Sequence, residues 1–274
     1  MLVDFHSHTL ESDGTLAPAE LAAAMQKRGV GVFSVTDHDS LAAYEKFDGA
    51  LGAATVVTGI ELNTTYRGQE VHVLGYGFPL DCGEMVEAIA SNRREREGRA
   101  AQMVGQLRRA GYDIEIEDVR AECGHATSTI GRPHVARALI RKGLVADIAS
   151  AFRNLLTPGK PGYVPSTYMG PHRAIELIAR SGGVAVLAHP GRLKDEGVID
   201  ELVAAGLAGI ETFYPAHEPG QIARYRDIAA QFGLVMTAGS DFHDVRYNPR
   251  GVGMEVDYDD IAGFLELVLP ATMP

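Results

Sequence analysis

The stretch LVDFHSH, residues 2–8, decides the reading of the fold, because an apolar strand runs straight into two histidines spaced i, i+2. Residues i and i+2 of an extended chain share a face, so the His6 and His8 rings point into one pocket at the strand's end. The same arrangement recurs down the chain. Apolar runs end in polar clusters at Val32–Thr36 (then Asp37-His38-Asp39), at Thr55–Ile60 (then Glu61) and at Val184–Ala188 (then His189). Leu234–Ala238 likewise leads into Gly239-Ser240-Asp241-Phe242-His243, again with an i, i+2 pair. His72 lies inside a further run, Val71–Tyr76, near enough to the third to pair with it through a short turn at Arg67–Gly68.

Helical patterns separate these runs: Pro18–Arg28, with Pro18 suited to the first turn and Gly29 just past the end, a stretch around Leu41–Leu51, then Ile175–Arg180, Val198–Ala205 and Ile222–Phe232. Gly209–Phe213 and Val252–Val256 complete the strands. Repeated βα units with short connections predict mostly parallel strands closed, or nearly closed, into an α/β barrel. Polar clusters at the carboxyl ends of such strands sit where barrel active sites form. From about Cys82 to Gly162 the chain turns helical and more charged, and Asn92–Arg99 reads NRREREGR, which predicts a solvated helix face, with contact to an anionic substrate as the alternative. Residues 1–80 and 165–274 are therefore assigned to a discontinuous barrel, and 81–164 to a helical insertion covering the active site.

The clusters supply nine candidate metal ligands: His6, His8, Asp13, His38, Glu61, His72, His189, Asp241 and His243. Nitrogen and carboxylate donors without thiolates suit Mn, Fe or Zn, and nine exceed what one ion needs but suffice for two or three. Asp4 and Asp39 are expected to orient neighbouring histidines. Glu211 ends its strand as an unassigned pocket carboxylate, and Tyr214 is either a wall for a base or a loop anchor.

The net charge of −11 argues against a generic polyanion-binding surface. It leaves room for an anionic substrate, because bound cations reverse the local sign of a pocket. Cys82 and Cys123 form no CxxC pair and fit a reducing compartment. No leader pattern and no apolar run of membrane-spanning length is present, so a soluble, cytoplasmic protein without an obligate protein partner is expected.

With the HxH at His6/His8, Thr36-Asp37-His38-Asp39, His189 and the terminal Ser240-Asp241 with His243, the chain resembles the PHP (polymerase and histidinol phosphatase) family. The resemblance covers the chain outside the helical insertion. It implies a distorted (β/α)7 TIM-like barrel and a cluster of two or three divalent ions held by the nine residues above, Mn²⁺ favoured with Fe²⁺ or Zn²⁺ as alternatives. Within the insertion, Gly131-Arg132-Pro133-His134 opens a helix whose free N–H groups, Arg132 and His134 could cradle a phosphate. The plainer alternative is a helix start whose arginine pairs with an acidic neighbour. This element, with Gly59-Ile60-Glu61 and Val71-His72-Val73, is similar to the small stand-alone PHP phosphoesterases that act on nucleoside 3′,5′-bisphosphates and RNA 5′ ends.

The reaction so implied is hydrolysis of a nucleotide 3′-phosphate (pAp to AMP), with trimming of short oligonucleotides from the 5′ end as an extension. Arg132 would neutralise phosphate charge, and His134 would protonate the leaving alkoxide or bind the phosphoryl group. A histidinol-phosphate-type phosphatase and a noncatalytic metal-binding module are the alternatives. His125, in a Gly/Ser/Thr-rich loop, could close over substrate, whereas His172 and His217 are expected in ordinary structural positions.

Overall fold

The computed structural model describes residues 1–47, 51–246 and 248–269. Eight strands form one sheet: β1 (Leu2–Asp4), β2 (Val32–Val35), β3 (Thr55–Tyr66), β4 (Gln69–Tyr76), β5 (Val184–Leu187), β6 (Gly209–Phe213), β7 (Val235–Ala238) and β8 (Met254–Glu255). Their spatial order is β7-β6-β5-β4-β3-β2-β1-β8. β1, β2 and β3 run parallel, as do β5, β6 and β7. The sheet closes where the chain leaving β1 meets the chain leaving β7: the Phe5 N–H donates to Ala238 O at 2.9 Å, and the Asp241 N–H to His6 O at 2.8 Å. A distorted seven-strand barrel results, with β8 as an antiparallel addition to β1.

The strands are less uniformly parallel than the βα alternation predicts. β4 runs antiparallel to both β3 and β5. The reason is local: Arg67 (φ 48°) and Gly68 (φ 76°) both sit in the left-handed region, the geometry of a two-residue hairpin turn whose twist matches its strands. The helix expected at 41–51 reduces to a short 3-10 turn, Ala42–Glu45, among the described residues; 48–50 lie outside them. The last expected strand shrinks to two residues.

Helices α1 (Pro18–Arg28), α6 (Pro171–Arg180), α7 (Val198–Ala204), α8 (Pro219–Phe232) and α9 (Tyr258–Val268) surround the barrel. α9 sets Phe264 edge-on against Phe5, ring centroids 4.8 Å apart, and against Tyr76 at 5.0 Å. Between β4 and α6 the chain forms α2 (Gly83–Arg109), α3 (Ile116–Arg120), α4 (Arg132–Arg141), α5 (Ile148–Ala151) and a π-helical turn, Phe152–Leu156. These helices bury an apolar cluster of their own around Met103, Leu107, Val135, Leu139 and Leu156. α2 serves two cores. Its first turns place Met85 and Ile89 against the barrel, and its last place Met103, Val104 and Leu107 in the insertion.

Candidate active site

The carboxyl ends of β1, β2, β5 and β7 and the β3–β4 hairpin bring all nine candidate ligands onto one rim. Three of the turns that do so lie in the left-handed region at residues other than glycine: Asp39 (φ 48°), His189 (φ 28°) and Asp241 (φ 50°). Such backbone is costly and clusters at functional sites. Gly239 is required by contact, since a Cβ there would lie 2.2 Å from the His6 Cβ.

Two carboxylates organise the rim. Glu61 Oε2 lies 3.2 Å from His6 Nε2, 3.2 Å from His8 Nε2 and 3.0 Å from His38 Nδ1. Its other oxygen, Oε1, faces His72 Nδ1 at 2.7 Å and His189 Nε2 at 3.1 Å. Asp241 Oδ1 lies 3.3–3.4 Å from nitrogens of His6, His8 and His243. Its Oδ2 accepts from the Tyr214 hydroxyl at 2.9 Å and sits 3.2 Å from Arg192 Nη2. Asp13 closes the far side, 3.3 Å from His243 Nε2 and 3.8 Å from His38 Nε2.

These contacts are close, yet several are not hydrogen bonds. His6 Nε2, His8 Nε2, His38 Nδ1 and Glu61 Oε2 are buried without a hydrogen-bond partner. A buried polar atom left unsatisfied costs about 1–3 kcal/mol, and here one such oxygen faces three such nitrogens at 3.0–3.2 Å. The donors fall into four groups in which every ligating atom lies within 4.8 Å of the others: His8/Asp13/His38/His243, His6/His189/Asp241, His6/His8/Glu61 and His38/Glu61/His72. The overlaps through His6, His8, His38 and Glu61 are what a cluster with shared ligands requires.

The electrostatics agree. Burial alone would raise the Glu61 carboxyl, but His38, His6 and His72 hold it well below the ordinary carboxylate range. Asp13 and Asp241 are held down against burial in the same way, by His243 and His38 for the first and by His6 and Arg192 for the second. Burial opposes a charge on His8, yet Asp241 and Glu61 beside it lift its pKa to about 10. With protein atoms alone, protons are drawn to where the carboxylates need cations. The residues therefore fit divalent metal ions.

Groups around the rim fix its members. His6 Nδ1 lies 2.9 Å from Glu211 Oε1, and Glu211 Oε2 accepts the His189 N–H at 2.7 Å, so the carboxylate left unassigned in the sequence orients two candidate ligands. Asp37 accepts from the Thr9 N–H and hydroxyl and from Ser12, fixing the loop before Asp13. Asp4 and Asp39 do not orient histidine rings, contrary to expectation. Asp4 accepts from Ser240 N–H and Oγ and from the Gly253 N–H, fastening the β7 turn to β1. Asp39 instead accepts from Arg96 Nε at 2.7 Å and Asn92 Nδ2 at 2.7 Å.

Residues 92–99 present a solvated face at Arg94, Glu95 and Glu97, as expected, but turn a second face inward. Asn92, Arg96 and Arg99 are each less than 9% exposed, and both arginines line the cavity above the rim. Arg99 Nη1 donates to Glu70 Oε1 at 2.9 Å, while its Nη2 is buried without a partner. Arg132 also lines the cavity and pairs with Glu70, so the ion-pair alternative holds alongside its exposure to the pocket. Burial would raise Glu70, but Arg132 and Arg99 pull its pKa down to about 2.

His134 sits differently. Its ring is fully buried, absent from the cavity wall, and its Nδ1 accepts the Gly131 N–H at 3.0 Å. Burial lowers its pKa to about 4, which leaves it neutral. The Gly131 bond lets the ring hold the turn that carries Arg132, and the ring's Nε2 is buried without a hydrogen-bond partner.

Ala100, Met103, Ile130, Phe152 and Tyr168 form an apolar side to the same cavity. Arg192, just after His189, lies over the Tyr214 ring at 5.2 Å and was missed in the sequence; its signal is its place two residues past a strand-end His-Pro. Tyr214 anchors Asp241. His125 approaches Glu11 Oε1 at 3.5 Å, and His217 is buried, Nδ1 3.0 Å from Thr212 O. His172 packs near Tyr66. Among the described residues no helix is long and apolar enough to cross a membrane.

No family model matches the chain. It is 33% identical to the 3′,5′-nucleoside bisphosphate phosphatase of Chromobacterium violaceum over 94% of this chain and 93% of that protein. It is 32% identical to the 5′-3′ exoribonuclease Rnm of Escherichia coli, over 89% and 85% of the two chains. Among solved structures, a protein of Bifidobacterium adolescentis described as a metal-dependent phosphoesterase superposes with a TM-score of 0.88 at 29% identity, covering 98% of this chain and 96% of the other.

Proposed function

Since the chain belongs to the PHP family of metal-dependent phosphoesterases, we propose that it hydrolyses the 3′-phosphate of a nucleoside 3′,5′-bisphosphate, giving the nucleoside 5′-monophosphate and orthophosphate. One observation carries this reading. A single cavity is lined by seven of the nine rim residues, by an apolar side of Met103, Ile130, Phe152 and Tyr168, and by two arginines, Arg99 and Arg132. A nucleoside with two phosphates matches that set of surfaces. Histidinol phosphate would leave both the apolar side and the second cationic patch without a partner.

The rim is assigned two or three divalent ions, Mn²⁺ first. Glu61 presents one oxygen to His6, His8 and His38 and the other to His72 and His189, so it would serve as the shared ligand. Bound cations there supply Lewis-acid polarisation of the phosphoryl oxygens and acidify a water. The chain does the rest. Arg192 reaches over the rim to a phosphoryl oxygen, with Tyr214 beneath its guanidinium and Asp241 fixing its orientation. Arg132 and the unpartnered Arg99 Nη2 take the 5′-phosphate, held in place by Glu70. Water adds to phosphorus, the bond from phosphorus to O3′ breaks, and O3′ leaves with a proton. The barrel of 1–80 and 165–274 carries the ligands, and the arm of 81–164 carries the groups that read the nucleotide.

The test is phosphate release by Mn²⁺-reconstituted protein from adenosine 3′,5′-bisphosphate, adenosine 3′-monophosphate and histidinol phosphate. The bisphosphate should be the best substrate. Loss of a charge-assisted contact is worth about 1.5–3 kcal/mol, so Arg132→Ala should lower kcat/KM on it by roughly 10–150-fold. The 3′-monophosphate should lose much less, having no 5′-phosphate to misplace. Preference for histidinol phosphate, or equal losses on both nucleotides, would defeat the assignment.

A further inference from the structure

Most of the candidate ligands are oriented by the barrel. His6 and His189 are held by Glu211, and Asp241 by Tyr214 and Arg192. Arg96 of the arm reaches the rim only indirectly, through Asp39 beside His38 and through Asn63, whose amide faces His72. The group His8/Asp13/His38/His243 is built differently, because Asp13 stands on a loop that the arm itself shapes.

That loop, residues 9–14, turns back on itself: the Ser12 and Gly14 N–H groups both donate to Thr9 O, at 3.1 and 3.0 Å. On the barrel side Asp37 accepts from Thr9 and Ser12. The remaining carbonyls turn the other way and are taken by the arm. Leu10 O accepts from Ser128 Oγ at 2.6 Å, Glu11 O from the Thr129 N–H at 2.9 Å, and Asp13 O from Arg137 Nη1 at 3.1 Å. Packing is as close as the bonding. A Cβ on Gly124 would lie 2.6 Å from the Leu10 Cβ, and one on Gly131 would lie 3.8 Å from Asp13 Oδ2. An irregular loop has no ladder to satisfy its backbone, so donors from elsewhere decide its path.

We propose that the arm completes one ion position: Arg137, with Ser128 and Thr129, positions Asp13, so that the ion held by His8, Asp13, His38 and His243 depends on the insertion, whereas the positions at Glu61 and Asp241 belong to the barrel. The inference rests on the metal assignment above and deepens it by separating the positions. A short carboxylate on a loop meets an ion only where the backbone behind it is fixed. Arg137 suits that task because its charge is spent on the Asp13 carbonyl. Both carboxylate oxygens stay free to face His243 and His38, at 3.3 and 3.8 Å, and the ion between them. Arg132 opens the helix in which Arg137 lies, so the cation that reads the 5′-phosphate and the support of this ion are one piece, α4.

The experiment is a calorimetric titration of metal-free protein with Mn²⁺. Asp13→Asn marks the position as the binding event that it removes. Partners one step behind a ligand are worth about 10–100-fold in metal affinity, so Arg137→Met should weaken that one event by this factor and leave the others within twofold of wild type. Arg137→Lys, which keeps a charged donor, should recover most of the loss. Ser128→Ala gives up one hydrogen bond and should weaken the same event by about 3–10-fold. On top of Asp13→Asn, Arg137→Met should change nothing further in the isotherm. A merely structural Arg137 would lower the melting temperature of the metal-free protein and spare the isotherm, and that result overturns the proposal. Equal weakening of every event overturns it too. Should Arg137→Met not fold, Ser128→Ala decides alone, an isotherm like wild type counting against the arm. A wild type that binds no divalent ion defeats the metal assignment itself, whereas several binding events left untouched by Arg137→Met defeat only the dependence on the arm.

Discussion

The rim of the barrel and the arm above it solve opposite electrostatic problems. The rim packs Glu61, Asp13, Asp241 and Glu211 among six histidines and leaves four buried lone-pair atoms with nothing to bond. The arm brings Arg96, Arg99 and Arg132 to the same cavity, each matched to a carboxylate of the chain: Asp39, Glu70 and Glu70. One surface is completed by ions from solution, whereas the other is assembled by folding. Loss of a charge at the rim should therefore be felt in catalysis and metal content, and loss of the Arg96 charge, which faces the buried Asp39 carboxylate, in stability.

The sharpest contrast comes from Asp241→Asn. It removes a charge facing His6, His8 and His243, so activity should fall by about 10³-fold or more and bound metal by at least one equivalent, while the far-UV spectrum stays native. Near-wild-type turnover at full metal content would strike Asp241 from the ligands. Chelation should act likewise, abolishing activity without unfolding, because the apolar cores rather than the ions hold a chain of this length together.

Arg96→Met reverses the pattern. It strands the buried Asp39 carboxylate, for which about 3–5 kcal/mol of stability should be lost in denaturant titration, with metal content unchanged. A loss under 1 kcal/mol would mean that water reaches Asp39 and that the arm is looser than the Arg96 contacts imply.

The smallest effect belongs to His134. Its ring is buried neutral, with a pKa of about 4 against an unfolded value near 6.5. The unfolded chain binds the extra proton first, so this contribution is whole above about pH 6.5 and is lost as the pH falls towards 4. His134→Gln should flatten that limb of the stability profile by about 2–3 kcal/mol relative to wild type. An unchanged limb would place the ring in water.

The same contrast explains what was readable in the sequence. His6/His8 and Asp241/His243 betray themselves because a period of two at a strand end leaves little freedom in where a ring points. The left-handed turn at Arg67–Gly68 was visible and reverses β4 against β3, but the pairing of β4 with β5 depends on the long path through the arm. Arg96 and Arg99 lie on a helix whose charge pattern is that of an exposed face. They are buried because Val164 and Tyr168, on the return from the arm, fold back over them, a contact between residues 65 to 72 positions apart. No periodicity encodes that. Glu211 was recognised as a pocket residue without a role because its partners, His6 and His189, come from strands far away in sequence.

α2 carries a lesson for anyone rebuilding this enzyme. Its 27 residues make a rod about 40 Å long, with one end set in the barrel and the other in the arm. An exchange of arms between related scaffolds has a natural seam on the return side, in the irregular chain at 157–170, but none within α2. A graft that cuts there would sever the rod and shift Asn92, Arg96 and Arg99, which occupy its middle. The first splice belongs before Gly83, so that a transplanted arm brings its own mast and the host supplies the socket for Met85 and Ile89.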